Sequence, residues 1–314
     1  MDLRQLRYFV EIAHLKSLTA ASARLYVAQS ALSRQIKLLE EELGVSLLIR
    51  EARGVRLTEA GEALLARAQV LLRDAENIKA ELRSGAGEPS GRLQLCAPPS
   101  LRNMLVAPFA ARFAQRFPKV TLGLREGTSR QMRDALARGE ADLALVSSEE
   151  EVSPFATRPL LTEPLCWVGP PQSKISIDKP VPVTRLAANP LILTPYPNSL
   201  RVLVDRALAG HGLQVAPVAE ADMVAMKLDL IRRGMGYTVL PFSAVDEQLR
   251  QRNIRAARVR GLQISWVAAW SSERGQSPAV REALSLIEAL VQEKIGSGAW
   301  PYAKRAVSSA QTQA

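Results

Sequence analysis

Histidine and cysteine are the scarcest reactive residues in this chain, two of each among 314. His14 and His211 stand alone, so no metal-ligand spacing exists and no metal site is expected. Cys96 and Cys166 sit in apolar, strand-like runs and read as buried free thiols, as in a reduced, cytoplasmic protein. No stretch of about 18 uncharged apolar residues is present, which excludes a membrane-spanning helix. The opening MDLRQLRYFVEIAHLK carries charges throughout and makes a poor export signal. Missing too are the phosphate-binding loop, the GxSxG elbow, the GxGxxG fingerprint and the HExxH pair. Little is left to support an enzyme on an α/β fold, and an exported solute-binding receptor lacks its signal. No cofactor is expected.

What remains is a moderately charged chain, 47% apolar, with a formal net charge of +10. Its length calls for two or three domains. Residues 1–60 hold nine basic and seven acidic side chains, whereas residues 92–314 hold 28 basic and 19 acidic. The excess positive charge therefore lies mainly in the C-terminal part, where it can steer the chain toward DNA or attract an anionic ligand.

The most informative stretch is Ser17–Leu43, SLTAASARLYVAQSALSRQIKLLEEEL, which reads as two short helices around a tight turn at Tyr26–Ala28. Leu32, Ile36, Leu39 and Leu43 recur at spacings of four, three and four, on one side of the second helix. Gln29, Ser30, Ser33, Arg34 and Lys37 fall on the other side, a face of amides, hydroxyls and cations without an acid. Such a face suits the edges of bases in a major groove. Ahead of this pair, Leu3, Leu6, Val10 and Ala13 mark the inner stripe of a first helix, and Ser17 or Thr19 can cap the second. Behind it, Leu47–Thr58 reads as a hairpin with Gly54 in its turn, decorated by Arg50, Arg53 and Arg56. Arginines at such a wing can reach a minor groove.

Helix, helix, reader helix, arginine-bearing wing and then LTEAGEALL together resemble the N-terminal domain of the LysR-type transcriptional regulators. The runs LRQLRYFV and VAQSALSRQIKLLEEELGVSLLIR are most similar to the nitrogen-assimilation-control-like branch. One departure concerns the reader helix. Ala28 and Ser30 stand where the family run places Ser and Pro, which leaves the helix start less fixed.

Thr58 caps the next helix. Within it Leu64, Ala68, Leu71, Ala75, Ile78 and Leu82 form a heptad seam, the pattern of a coiled-coil pair. Two reader helices related by a two-fold axis would match a pseudo-palindromic DNA site. SGAGEPSG, Ser84 to Gly91, is a hinge. Beyond it strands and helices alternate, implying a largely parallel sheet covered on both faces. Ser100 to Phe117 reads as one helix, and the segment from Gly296 onward as a disordered tail.

The resemblance implies a winged helix-turn-helix plus a long linker helix, followed by an α/β two-lobed, periplasmic-binding-protein-like effector domain. The expected boundaries are 1–58 for the DNA-binding domain and 59–86 for the dimerising linker. Residues 87–162 and 267–295 form the first effector subdomain, 163–266 the second, and 296–314 the tail. Three strand-to-helix junctions carry hydroxyl or amide residues: Ser100, Thr128–Ser129 and Asn198–Ser199. Helix starts at strand ends favour anions, and by resemblance these positions line an effector cleft, with Arg102 and Arg201 as candidate counter-charges. The implied partners are double-stranded DNA, a small organic anion, possible aromatic ones included, further copies of the chain up to a homotetramer, and RNA polymerase. An effector-independent regulator of the same family is the alternative.

Overall fold

The computed structural model describes residues 1–51, 54–84, 88–272 and 274–306. Arg53, part of the expected hinge (85–87) and the end of the expected tail (307–314) lie outside the described residues. The chain divides into two compact units, one of residues 1–92 with 137–140 and one of 93–136 with 141–314.

The first unit begins with helices α1 (Leu3–Leu15), α2 (Leu18–Leu25) and α3 (Gln29–Leu43). Asp2 and Gln5 form a reciprocal capping box at the start of α1, and the Ser17 hydroxyl accepts from Ala20 N at 3.2 Å to start α2. Phe9, Ile12, Leu18, Ala21, Leu32, Ile36, Leu39 and Leu47 make the core. The buried face of α1 is thus Leu6, Phe9 and Ile12, rotated from the expected stripe. Leu3 is exposed and Val10 only half-buried. Leu43, the last residue of the reader helix, is also exposed.

The hairpin comprises β1 (Leu48–Glu51) and β2 (Gly54–Leu57), paired antiparallel from Leu48↔Leu57 to Glu51↔Gly54. Gly54 therefore lies in the ladder and not in the turn. Its φ is +133°, and a Cβ there would sit 2.5 Å from the Lys16 carbonyl oxygen. The next residue, Val55, donates its N–H to that same oxygen at 2.9 Å. Glycine is needed because the wing lies backbone-to-backbone on the end of α1. Helix α4 (Glu59–Ser84) follows, started by the Thr58 hydroxyl, which accepts from Gly61 N at 3.0 Å. It clusters with the helix-turn-helix into one unit, since Leu64 and Leu65 pack on the same core.

The second unit runs β3 (Gly91–Ala97), α5 (Ala107–Arg116), β4 (Val120–Glu126), α6 (Ser129–Ala137), β5 (Leu143–Ser147), β6 (Ala156–Gly169), α7 (Thr184–Ala187), β7 (Ile192–Leu193), α8 (Ser199–Ala209), β8 (Ala219–Glu220), α9 (Val224–Arg232), β9 (Thr238–Pro241), α10 (Phe242–Arg250), β10 (Arg255–Trp270), α11 (Pro278–Gly296) and β11 (Lys304–Arg305). The expected single helix from Ser100 to Phe117 is broken: a 3-10 turn at Pro99–Leu101 and a π turn at Arg102–Val106 precede α5. The loop prolines and the wide π turn keep Ser100 at the mouth of the helix.

The main sheet has the order β11-β6-β10-β5-β3-β4, with β9 also on β6. It is mixed and not largely parallel. β3 and β5 are parallel, whereas β10 runs antiparallel to both β5 and β6, and β6 antiparallel to β9. The reason is topological: β6 leaves the first lobe and β10 returns to it, so the two long strands lie side by side in opposite directions. The expected boundaries at 162/163 and 266/267 fall inside these continuous strands. The pairing register shifts between Trp266 and Val267, at the second of these boundaries.

The expected disorder from Gly296 does not hold for residues 296–306. Trp300 is buried, and Lys304 and Arg305 pair with Thr162 and Leu161 of β6. The indole N–H of Trp300 donates to Glu163 Oε2 at 3.2 Å. Glu163 is wholly buried and also accepts from Ser243 N (2.8 Å), Ser243 Oγ (2.7 Å) and Trp266 Nε1 (2.6 Å). Burial pushes its carboxyl above the usual carboxylate range, and these four donors oppose the shift.

Candidate DNA-reading face and ligand cavity

Two sites emerge, one in each unit. In the first, α3 presents Gln29, Ser30, Arg34 and Lys37 to solvent, with Ser33 half-buried. Its start carries no side-chain cap at Ala28, as the departure from the family run implies. A weak hydrogen bond from Thr19 Oγ1 at 3.4 Å reaches Gln29. Ser33, Arg34, Lys37, Glu40 and Arg50 line a groove of about 410 Å³ between α3 and the wing. Glu40 explains their alignment. Its Oε1 accepts from Leu47 N at 2.7 Å and Leu48 N at 3.2 Å, fastening β1 to α3.

Among the described residues Arg34 and Arg50 make no ion pair or hydrogen bond, leaving both guanidinium forks free for an anionic partner. Lys37 faces Glu41 at 3.6 Å, an exposed pair that phosphate can displace at little cost. Arg56 pairs with Glu51 across the wing. Along α4, Leu71 (46%), Ile78 (57%) and Leu82 (81%) are exposed, whereas Ala68 is buried and Leu64 packs on the unit's own core. The C-terminal half of the heptad seam is therefore apolar and open.

In the second unit, a cavity of about 310 Å³ is lined by Ser100, Thr128, Ser129, Asn198 and Ser199. The three junctions singled out from sequence are thus brought together. Their polar groups differ in what they have left to give. Thr128 caps α6, accepting from Gln131 N at 3.2 Å and donating its own N–H to Gln131 Oε1 at 2.8 Å. Ser129 Oγ accepts from the buried Ser147 N at 3.0 Å, and Asn198 Oδ1 caps α8 through Leu200 N at 2.9 Å. Ser100 and Ser199 make no side-chain hydrogen bond among the described residues, so their hydroxyls are free to serve a ligand.

The two arginines expected as counter-charges are not in this cavity. Arg102 forms a two-pronged pair with Glu126, both contacts 2.5 Å, and faces the adjoining cleft. Arg201 is buried beneath Tyr196, bonded to Asp205 (2.7 Å), Glu220 (2.8 Å) and the Thr194 carbonyl (3.2 Å). Arg102 thus has one neutralising carboxylate and Arg201 two. The cation that does line the cavity is Lys227 on α9, whose Nζ donates to Thr194 Oγ1 at 2.7 Å. Its sequence signal is a charge on an apolar stripe, since Leu228 and Ile231 of the same face are buried. Ile264, Leu240, Pro241 and Trp266 supply the apolar wall.

Among the described residues no group of three or more His, Cys, Asp or Glu could hold a metal, and no helix is long and apolar enough to cross a membrane. Residues 3–62 match the family model of the bacterial regulatory helix-turn-helix protein, lysR family, and residues 86–292 match that of the LysR substrate binding domain. The nitrogen assimilation regulatory protein nac of Klebsiella aerogenes is 32% identical over 290 residues, spanning 90% of this chain and 94% of its own. The Hca operon transcriptional activator HcaR of Escherichia coli K12 is 30% identical over 300 residues, 95% and 99% of the two chains. Full-length CbnR, solved with its target DNA, shares the fold at a TM-score of 0.71 and 23% identity, covering 92% of this chain and 100% of that one. Full-length BenM does so at 0.56 and 26%, covering 95% and 98%. The chain belongs to the LysR family of transcriptional regulators, a DNA-binding helix-turn-helix domain followed by a substrate-binding domain.

Proposed function

We propose that the protein binds pseudo-palindromic promoter DNA as a dimer of reader helices and is switched by a small organic anion held between its two lobes. Arg34 and Lys37 with Gln29, Ser30 and Ser33 enter the major groove, and Arg50 and Arg53 contact the backbone or minor groove from the wing. The observation that carries this reading is the pair of unspent guanidinium groups, Arg34 and Arg50, lining one groove beside α3. The exposed residues of the α4 seam supply the two-fold contact, burying apolar surface worth about 25 cal/mol per Å². Pairs of such dimers make a tetramer, and ligand-induced change in lobe orientation alters the spacing of readers on DNA and hence the contact with RNA polymerase. A DNA-binding regulator of this kind works in the cytoplasm, where the bacterial chromosome lies.

The test is fluorescence anisotropy with promoter fragments upstream of the regulator's own neighbouring genes, at several salt concentrations. Specific binding whose logarithm falls linearly with the logarithm of salt supports the reading. Binding that ignores both sequence and salt, or that is unchanged in Arg34→Ala, removes α3 as the reader.

A further inference from the structure

Lys227 sits one turn into α9 and is only 1% exposed. Three N–H groups crown its ammonium, and among the described residues only Thr194 Oγ1 receives one. Among the described residues no carboxylate pairs with it. Asp222 acts on it from a distance and is itself solvent-exposed. A buried ammonium lacking a carboxylate is costly, and proteins ordinarily retain one only when it is paired. The fold does not require this charge: Leu228 and Ile231, on the same face, are apolar and buried.

The groups around Lys227 describe its missing partner. Helix α9 starts at Val224 without a side-chain cap, and Met223 and Val224 at that start line the same cavity. The free hydroxyls of Ser100 and Ser199 approach from the two lobes. Opposite them, Ile264, Leu240, Pro241 and Trp266 form a wall suited to an apolar body. The remaining charges on the lining, Glu126 and Asp222, are acidic, and Glu126 already balances Arg102. One negative charge has a place here, and a second would meet carboxylates.

We propose that Lys227 is the counter-charge of the effector, and that the effector is a monocarboxylate with an apolar body, its carboxylate on Lys227 Nζ. This rests on the reading of the cavity as the ligand site. Burial pushes the free ammonium down to about 8, so a bound carboxylate, which favours the charged form, draws the proton back. The other titratable groups on the lining are Glu126 and Asp222.

The experiment titrates full-length wild type, Lys227→Met and Lys227→Arg with benzoate and hexanoate, with their neutral amides benzamide and hexanamide, and with the dicarboxylate adipate. Isothermal calorimetry and intrinsic tryptophan fluorescence, to which Trp266 on the cavity wall contributes, are the readouts. For wild type the acid binds more tightly than its amide, its affinity is level below pH 8, and it falls up to tenfold per unit above. In Lys227→Met the acid loses at least about thirtyfold, as expected for a desolvated charge pair, and no longer distinguishes itself from the amide. Lys227→Arg recovers part of the preference. An acid that binds Lys227→Met as well as wild type, an amide that equals its acid, or a preference for adipate overturns the assignment while leaving the cavity as the ligand site. If no probe binds wild type, the monocarboxylate assignment falls, and the ligand-site reading falls with it. Salt-dependent DNA binding is a separate measurement that this outcome does not touch.

Discussion

Replacing Lys227 by methionine is expected to stabilise the ligand-free protein. Its burial pushes the ammonium from 10.5 to about 8, a displacement that corresponds to about 3 kcal/mol of lost folding free energy at pH 7. Below pH 8 the lysine is protonated in both states and this cost is present in full. Between pH 8 and 10.5 the unfolded chain holds a proton that the folded chain has released, so wild-type stability rises with pH. Above 10.5 the cost is gone. Methionine has nearly the same length and carries no charge, and its one penalty is the Thr194 hydroxyl left without its donor, about 1 kcal/mol. The variant is therefore expected to be more stable by about 2 kcal/mol at pH 7, with the advantage vanishing by about pH 10. Urea unfolding followed by tryptophan fluorescence isolates the relevant unit, because Trp167, Trp266, Trp270 and Trp300 all lie in it. A difference that does not change with pH, or a wild type more stable at pH 7, would refute the reasoning: the ammonium would then have a partner or solvent access.

Gly54→Ala places a methyl 2.5 Å from the Lys16 carbonyl at a φ of +133°; a loss of at least about 2 kcal/mol in the N-terminal unit is expected by calorimetry, because both the clash and the backbone conformation oppose alanine. Arg34→Ala is expected to weaken specific DNA binding by about 1–3 kcal/mol, whereas Arg50→Ala lowers affinity on all sequences and reduces the salt slope by about one; anisotropy separates the two, and identical salt slopes would remove Arg50 from the phosphate contacts. Ile78→Glu alters a side chain that is 57% exposed, so the fold should persist while dimerisation weakens. Sedimentation showing an unchanged dimer would exclude the α4 seam.

How far the sequence could be read depended on whether a signal was local. The reader helix was legible because Leu32, Ile36 and Leu39 define its inner face within three turns, and the remaining side chains follow by geometry. The three hydroxyl-bearing junctions were legible for a similar reason, since a strand end meeting a helix start is a local event. The direction of the sheet was not, because β6 finds β10 only after the chain has built a whole lobe. Alternation of strand and helix suggests parallel pairing and says nothing of a return. Arg102 and Arg201 stand beside the right loops, yet Glu126, which neutralises Arg102, is 24 residues away, and Arg201 has Glu220, 19 residues away, besides its helix neighbour Asp205. Lys227 carried a weak signal as a cation on the apolar stripe of α9, a pattern that only tertiary packing turns into a buried charge. Trp300 and Tyr302 order the tail through Glu163 and Asp178, 137 and 124 residues away. The small residues around them hid it.

Glu163 also sets a schedule for synthesis. Its carboxylate finds the indole of Trp266 103 residues later and that of Trp300 137 residues later. At about 5–20 residues per second the ribosome needs on the order of ten seconds to deliver those partners. During that interval the apolar half of β6 has no central neighbour, and an unpaired strand of this kind is an invitation to another nascent chain. The helix-turn-helix, complete by residue 84, has no such wait. A growing chain thus acquires its DNA-reading end first and its regulated end last, and polysomes translating this message are where a demand for chaperones would be felt.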